Sequence, residues 1–274
     1  MKRFAVIGNP IAHSRSPAIH EAFAVQLGIE LQYERVLAPL NDFAGTLQRL
    51  QAEGFAGCNV TLPFKVDALA YAQQASERAQ LAGAANTLGW AGTSIWADNT
   101  DGLGLRRDIE HNAGWPIAGR RVLILGAGGA SAGCLGPVLD ARPARVAIWN
   151  RGSDKAVALV ERHRALATQH QVDLSAVPLI AGEFDAVING TSAGLGGQAL
   201  ALPNGLLQAG GLTLDMVYGT AAEPFLQWAQ AQGAALRLDG LGMLVEQAAE
   251  AFALWHGQRP DTAPVLAQMR RATP

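Results

Sequence analysis

Short apolar runs alternate with longer amphipathic segments in the first hundred residues. A short apolar run predicts a strand at 4–7, and further strands are predicted at 32–36 and 57–60. Segments with helical spacing, several closed by a glycine, predict helices at 17–27, 42–53, 63–72 and 76–81. Strands that alternate with helices indicate an open α/β sheet.

The second half of the chain repeats this alternation more regularly. Strands are predicted at 121–125, 145–149, 185–189, 212–215 and 236–238. Helices are predicted at 129–139, 154–167 and 224–232, followed by two terminal helices at 241–255 and 262–272. Successive βαβ units of this kind are typical of a parallel, doubly wound sheet. A helix that begins at Gly102 is expected to lead from the first sheet to the second.

Composition narrows the class of protein. A chain of 274 residues with 49% hydrophobic and 16% charged residues is long and apolar enough for two packed domains. The net charge of −2 offers no basic patch, so neither nucleic acid nor a membrane surface is an expected partner. Cys58 and Cys134 lack a CxxC spacing, and no metal site is expected. Two free thiols and the absence of a recognisable secretion signal favour a cytoplasmic protein.

A glycine turn, Gly126-Ala127-Gly128-Gly129-Ala130-Ser131, lies between a predicted strand and a predicted helix. The first glycine permits a tight turn, and the second lets the backbone approach a pyrophosphate at the positive end of the helix. Ser131 stands where the common pattern has a glycine, so the match is imperfect. The turn predicts dinucleotide binding, with a purely structural βα turn as the alternative.

The end of the next strand favours NADP over NAD. NAD sites usually carry an acidic residue there that binds the ribose 2′-hydroxyl. This chain has Asn150 and Arg151, with Lys155 further on, and these cations suit a 2′-phosphate. Asp154 weakens that electrostatic preference. The alternative is that both cations are solvated loop residues.

Polar clusters in the first domain suggest a second site. Ser14 and Ser16 flank a loop-to-helix junction that suits a carboxylate, although Ser16 also fits a plain helix N-cap. Lys65 lies in the first turn of a predicted helix, where the helix dipole favours a neutral amine able to transfer protons. An exposed lysine is the alternative.

Further hydrogen-bonding groups come from three other segments. Asn86 and Asp101 lie in polar stretches, and Asp101 fits either a helix cap or a partner for Lys65 across a cleft. Gln247 lies within the apolar stripe of the helix at 241–255. A buried amide needs hydrogen-bond partners, which are supplied either by the core or by a ligand.

Together these motifs resemble the shikimate dehydrogenase family over essentially the whole chain. The matching segments are 8–17 (GNPIAHSRSP), 59–65 (NVTLPFK), 86–87 (NT), 98–102 (DNTDG), 126–131 (GAGGAS), 150–151 (NR) and 239–244 (DGLGML). The resemblance implies reversible reduction of 3-dehydroshikimate to shikimate with NADPH, in aromatic amino-acid biosynthesis. It also implies an α/β fold of two domains: an open α/β substrate domain at 1–101 plus 241–274, and a Rossmann-type NADP domain at 102–240.

The resemblance implies roles for individual residues. Ser14, Ser16 and Tyr218 would hold the substrate carboxylate, and the ring hydroxyls would be bound by Thr61, Lys65, Asn86, Asp101 and Gln247. Lys65 would be the acid and base, with Asp101 as its partner. The pyrophosphate would lie against residues 126–130, the 2′-phosphate against Asn150, Arg151 and Lys155, and the nicotinamide between Met216 and Gly240.

Two departures from the family pattern concern the cofactor. Gly152 stands where a threonine is usual, and Lys155 where an arginine is frequent, so NADP selectivity is expected to be weaker. A dual quinate/shikimate dehydrogenase is therefore one alternative. A non-catalytic NADP-binding regulator is another, although this chain keeps both Lys65 and Asp101. Either a monomer or a homodimer is compatible with the sequence.

Overall fold

The computed structural model describes residues 1–92, 94–194 and 200–272, which form two six-stranded sheets with helices packed against them. The strands of the first sheet are β1 Lys2–Gly8, β2 Leu31–Leu37, β3 Phe55–Val60, β4 Gln74–Ala75, β5 Thr87–Ala91 and β6 Ser94–Asp98. Their order is β2-β1-β3-β5-β6-β4. The helices among them are α1 Ser16–Leu27, α2 Phe43–Ala52, α3 Lys65–Tyr71 and α4 Glu77–Ala82.

The second sheet is parallel throughout, with strand order β12-β11-β10-β7-β8-β9. Its strands are β7 Arg121–Leu125, β8 Arg145–Trp149, β9 Asp173–Ala176, β10 Phe184–Asn189, β11 Leu207–Asp215 and β12 Leu236–Leu238. Its helices are α6 Gly129–Asp140, α7 Ser153–Gln169 and α8 Glu223–Ala231. Because β10 and β8 flank β7 on opposite sides, the strand order reverses at β7, directly before the glycine turn.

Two helical segments connect the sheets. Helix α5, Asp101–Arg107, continues into a π-helical turn, Asp108–Asn112, on the way from β6 to β7. After β12 the chain forms α9, Leu241–His256, and then α10, Ala263–Arg271. Both terminal helices pack against α1 in an apolar cluster that includes Phe23, Phe252 and Met269. None of the helices described is long and apolar enough to cross a membrane.

The predicted α/β class with two sheets is confirmed, and the first sheet contains both parallel and antiparallel strand pairs. Strands β5 and β6 form an antiparallel hairpin that the sequence analysis missed, together with β4 and β9. Within the hairpin Gly89 pairs with Trp96, and the indole of Trp96 occupies the space that a side chain at 89 would take. The division at 1–101 plus 241–274 and 102–240 stays a prediction.

Helix α5 makes close backbone contacts on two sides. A Cβ atom at Gly104 would lie 2.7 Å from the Gln247 backbone nitrogen in α9. A Cβ atom at Gly102 would lie 2.7 Å from Pro137 in α6, and 2.9 Å from the Cα atom of Cys134. Real Cβ atoms do not approach so closely, so glycine at these two positions lets α5 pack directly against both helices.

We expect Asp108→Asn to stabilise the protein at neutral pH. Asp108 is buried, its Oδ2 has no partner among the residues described, and burial raises its pKa from 3.8 to about 6. The folded protein therefore retains a proton that the unfolded chain releases, so this group's contribution to stability falls as pH rises from about 4 to about 6 and stays low above that. Thermal unfolding at pH 7 should show a Tm gain of roughly 2–6 °C.

The same measurement at pH 4 provides the control. There the buried Asp108 carboxyl is protonated in the folded state and carries no buried charge, so the gain should shrink towards zero. Equal Tm differences at both pH values would contradict this account of Asp108. The charged neighbours Arg270, Glu246 and Asp239 are unchanged in the variant, so the comparison isolates the one carboxyl.

Candidate active site

Four of the predicted site residues form one connected hydrogen-bond network. Lys65 Nζ lies 2.5 Å from Asp101 Oδ2, and the two side chains are 15% and 7% exposed. Asn86 Nδ2 lies 2.8 Å from Asp101 Oδ1 and 3.1 Å from Gln247 Oε1. Gln247 Nε2 donates to the Leu244 carbonyl at 2.7 Å. The network places an ammonium and a carboxylate next to two orienting amides.

The mixed first sheet brings these residues together. Asn86 immediately precedes β5, and Asp101 follows β6 closely. Because β5 and β6 are antiparallel and Thr87 pairs with Asp98, both polar segments lie at the same end of the hairpin. Lys65 begins α3, and the Ala85 N–H donates to its carbonyl at 2.8 Å.

Three alternative interpretations from the sequence are wrong. Asp101 is the first residue of α5 after Thr100, and no side chain caps this helix. The Asp101 carboxylate instead binds Lys65 and Asn86, so Asp101 is not a plain cap and Lys65 is not an exposed lysine. Arg15, not Ser16, occupies the N-cap position of α1, so Ser16 is not a plain cap either.

The remaining predicted substrate residues lie on loops and at the start of α1. Ser14 Oγ donates to Ser16 Oγ at 3.2 Å and accepts from the Ser16 N–H at 3.3 Å. Thr61 lies between β3 and α3, and its methyl group contacts Gly8. Tyr218 follows β11, and the Arg15 guanidinium lies 5.8 Å from its ring centre. The structure therefore places Tyr218, which follows a strand of the second sheet, next to Arg15, which lies between Ser14 and Ser16.

The sequence analysis missed a buried extension of the network. Tyr33 Oη donates to Asn59 Oδ1 at 2.6 Å, and Asn59 Nδ2 contacts Thr87 Oγ1 at 3.1 Å. Thr87 Oγ1 in turn donates to Asn86 Oδ1 at 2.9 Å. Burial raises the pKa of Tyr33 well above its usual range, so its hydroxyl stays a donor. In the sequence, the polar residue Asn59 within an otherwise apolar strand was the one sign of this buried hydrogen-bond network.

The glycine turn has the properties of a pyrophosphate cradle. Gly126 has φ +96°, which requires glycine, and its N–H donates to the Trp149 carbonyl at 2.7 Å. Gly128 has ordinary dihedrals, φ −81° and ψ −178°, and an added Cβ there or at Gly129 would meet nothing within 4 Å. Since neither the backbone nor any described neighbour requires glycine at 128 and 129, the space fits an incoming phosphate at the α6 N-terminus.

The other predicted cofactor residues lie at the same edge of the second sheet. Asn150 follows β8, accepts from the Ala127 N–H at 3.0 Å and donates to the Gly152 carbonyl at 2.8 Å. Its side chain therefore connects the glycine turn to the segment that precedes α7. Arg151 and Lys155 are exposed at that helix start, which fits both the predicted phosphate site and the alternative of solvated cations. Met216 follows β11, and a side chain at Gly240 would collide with its carbonyl.

The two sheets, the glycine cradle and the buried lysine–carboxylate pair define a two-domain dinucleotide-dependent dehydrogenase. Family models match three parts of the chain: the shikimate dehydrogenase substrate-binding domain at 6–88, the shikimate/quinate 5-dehydrogenase at 109–195 and the shikimate 5′-dehydrogenase C-terminal domain at 240–270. The chain belongs to the shikimate dehydrogenase family.

Individual relatives agree over nearly their full length. Shikimate dehydrogenase (NADP(+)) from Acidovorax sp. (strain JS42) is 55% identical over 98% of this chain and 96% of its own. The crystal structure of an Ael1 enzyme from Pseudomonas putida is 45% identical, covers 98% of each chain and has a TM-score of 0.88. Shikimate 5-dehydrogenase from Thermus thermophilus, solved with NADP(H) and shikimate, is 36% identical with a TM-score of 0.88 over 99% of this chain and 100% of that one.

We expect Gly128→Ala to weaken dinucleotide binding without destabilising the fold. The added methyl group meets no described neighbour, so Tm should stay within about 1 °C of the unchanged protein. It does enter the space beside the α6 N-terminus, so the Kd for NADP⁺ measured by calorimetry should rise about tenfold or more. Gly126→Ala serves as the contrast, because φ +96° makes that change destabilising. An unchanged Kd in Gly128→Ala would contradict the cradle.

Proposed function

We propose that this protein catalyses the reversible NADP-dependent reduction of 3-dehydroshikimate to shikimate. The observation that carries the proposal is the 2.5 Å contact between Lys65 Nζ and Asp101 Oδ2, held within the Asn86–Gln247 network. The relatives named above as shikimate dehydrogenases support the same substrate pair and NADP. They do not favour quinate dehydrogenase as the alternative.

The substrate is a polar ring with one carboxylate and several hydroxyl groups, and the site offers a matching set of groups. The Ser14 and Ser16 hydroxyls and the α1 N-terminus suit the carboxylate, with Tyr218 approaching from the other sheet. The amides of Asn86 and Gln247 and the Thr61 hydroxyl suit the ring hydroxyls. Each of these groups donates or accepts hydrogen bonds, so together they orient the ring against Lys65.

Lys65 performs the proton transfer in this proposal. NADPH would bind along the glycine turn, with its nicotinamide flanked by Met216 and Gly240. When bound there, it would supply a hydride to the ketone carbon. As negative charge develops on the ketone oxygen, the Lys65 ammonium stabilises it and donates a proton to it. In the reverse direction the neutral amine removes the proton from the hydroxyl. Asp101 fixes the position of the Lys65 nitrogen through their short contact.

The Lys65–Asp101 pair suits this task because it is largely shielded from water. A charge pair with side chains 15% and 7% exposed experiences a lower effective dielectric than one at the surface. The Asn86 amide also donates to Asp101 Oδ1, which fixes the orientation of the carboxylate. Closure of the cleft over a bound substrate would exclude the remaining water.

Three further assignments belong to this proposal. The domain division at 1–101 plus 241–274 and 102–240 follows from the need for Gln247 in α9 to reach the substrate network. A cytoplasmic location fits the two buried, unpaired thiols. Shikimate, 3-dehydroshikimate and the nicotinamide cofactor are the partners on which the proposal depends, and a monomer or a homodimer satisfies it.

We expect oxidation of shikimate with NADP⁺ to be the fastest of four reactions, measured with shikimate and quinate against NADP⁺ and NAD⁺. Arg151 and Lys155 favour a 2′-phosphate, whereas Gly152 and the nearby Asp154 weaken that preference, so activity with NAD⁺ should be lower but measurable. A kcat/KM for quinate equal to that for shikimate would contradict the proposed substrate. Equal values with both cofactors would contradict the proposed preference for NADP⁺.

We expect Lys65→Ala to reduce kcat by about 10²–10⁴-fold with little change in KM for shikimate, because the lysine acts mainly on the charge of the transition state. Lys2→Ala is the matched control, since Lys2 is exposed at the start of β1, and its kinetics should be unchanged. A kcat within twofold of the unchanged enzyme in Lys65→Ala would overturn the assignment of Lys65 as the acid and base.

A further inference from the structure

A buried amide–carboxylate pair joins the ends of two strands beside the cofactor region. Asn189 is the last residue of β10 and Asp215 the last of β11, and they lie opposite each other in the parallel register. Asn189 Nδ2 donates to Asp215 Oδ2 at 2.8 Å. The two residues are only 3% and 1% exposed, so the charge of Asp215 is held away from water.

The pair also binds the two loops that leave these strands. Asp215 Oδ1 accepts from the Val217 N–H at 3.0 Å, and Val217 is the residue between Met216 and Tyr218. Asn189 Oδ1 accepts from both the N–H and the hydroxyl of Thr191, at 3.1 and 2.8 Å. One compact network therefore sets the exit direction of both loops.

Neighbouring backbone contacts extend this network to the rest of the site. The Met216 N–H donates to the Asn189 carbonyl at 2.9 Å, and the Gly240 N–H donates to the Val217 carbonyl at 2.9 Å just before α9. A Cβ atom at Gly190 would lie 3.1 Å from Met216 Sδ and would collide with Ser131 at the start of α6. Gly190, directly after β10, is thus packed between Met216 and the start of α6.

Burial of the Asp215 carboxylate and the Asn189 amide is unfavourable unless every polar atom of the pair has a hydrogen-bond partner. An isolated buried carboxylate costs several kcal/mol, and an apolar pair of similar size would avoid that cost. Within the described structure each side-chain oxygen of the pair accepts at least one hydrogen bond, and each bond leads either to the partner or to a loop. The pair therefore adds directional control of the loops that an apolar pair would not provide.

We propose that Asn189 and Asp215 are positioning residues for the reaction, which hold Met216 and Tyr218 in the orientation that the cofactor and the substrate carboxylate require. The inference rests on the proposed function for the roles of Met216 and Tyr218. It adds two buried residues that act through their hydrogen bonds to the backbone of Val217 and Thr191.

Single substitutions should disrupt this network in a defined way. In Asp215→Asn, the new amide cannot accept from both Val217 and Asn189, so one donor faces another donor. In Asn189→Asp, two buried carboxylates face each other, and the N–H group that donated to Asp215 is lost. The double variant Asn189→Asp with Asp215→Asn restores every bond, because the carboxylate at 189 accepts from Thr191 and from the amide at 215, whose oxygen accepts from Val217.

The test measures kcat and KM for shikimate by steady-state kinetics, and the Kd for NADP⁺ by calorimetry, in the full-length protein. We expect each single variant to raise KM and Kd by about tenfold, from the loss of one or two charge-assisted hydrogen bonds. The double variant should return both values to within about threefold of those of the unchanged protein.

Thr213→Val is the matched control. It removes a buried side-chain hydrogen bond to the Leu236 carbonyl from the same strand, away from the loops. It should lower Tm and leave KM and Kd unchanged.

Single variants with KM and Kd like those of Thr213→Val would overturn the proposal, as would a folded double variant that retains the defects of the single ones. If the single variants do not fold, the double variant alone decides: normal KM and Kd support the proposal, and raised values contradict it. Turnover of shikimate by the unchanged protein tests the proposed function separately, and the Kd for NADP⁺ tests the pair whether or not shikimate is the substrate.

Discussion

The short contact between Lys65 and Asp101 is the interaction on which the proposed chemistry depends. A buried ammonium and a buried carboxylate are each unfavourable alone, so both require partners that the fold must place accurately. The antiparallel β5–β6 hairpin meets that requirement by bringing Asn86 and Asp101 to one end of the sheet. Gln247, from a helix near the end of the chain, completes the network.

Close packing between helices connects this network to the cofactor region. Gly102 and Gly104 let α5 lie directly against α6 and α9, so the helix that begins with Asp101 also contacts the helix behind the glycine turn. Well-packed elements transmit displacement because they have little free volume. Movement of α6 relative to α5 would therefore change the position of Asp101, which ties the geometry of the two sites together.

The cofactor edge of the second sheet uses polar side chains at successive strand ends. Asn150 after β8 accepts a hydrogen bond from the glycine turn, and Asp215 at the end of β11, bonded to Asn189 at the end of β10, accepts one from Val217 between Met216 and Tyr218. Each side chain satisfies backbone groups that would otherwise be left unpaired where the strands end. The loops thereby gain a defined conformation while remaining outside the regular sheet, where ligands of such folds bind.

Much of this arrangement follows from the sequence alone. Regular βαβ alternation indicated the parallel second sheet, and the glycine turn with Asn150 and Arg151 indicated its dinucleotide. Both signals are local, because they depend on the spacing of neighbouring residues. Tertiary structure alone decided the β5–β6 hairpin, the contact of Lys65 with Asp101, and the burial of Tyr33, Asn59 and Asp215 in polar networks. These features join residues far apart in the chain, and their energies depend on burial and on partners that no local pattern specifies.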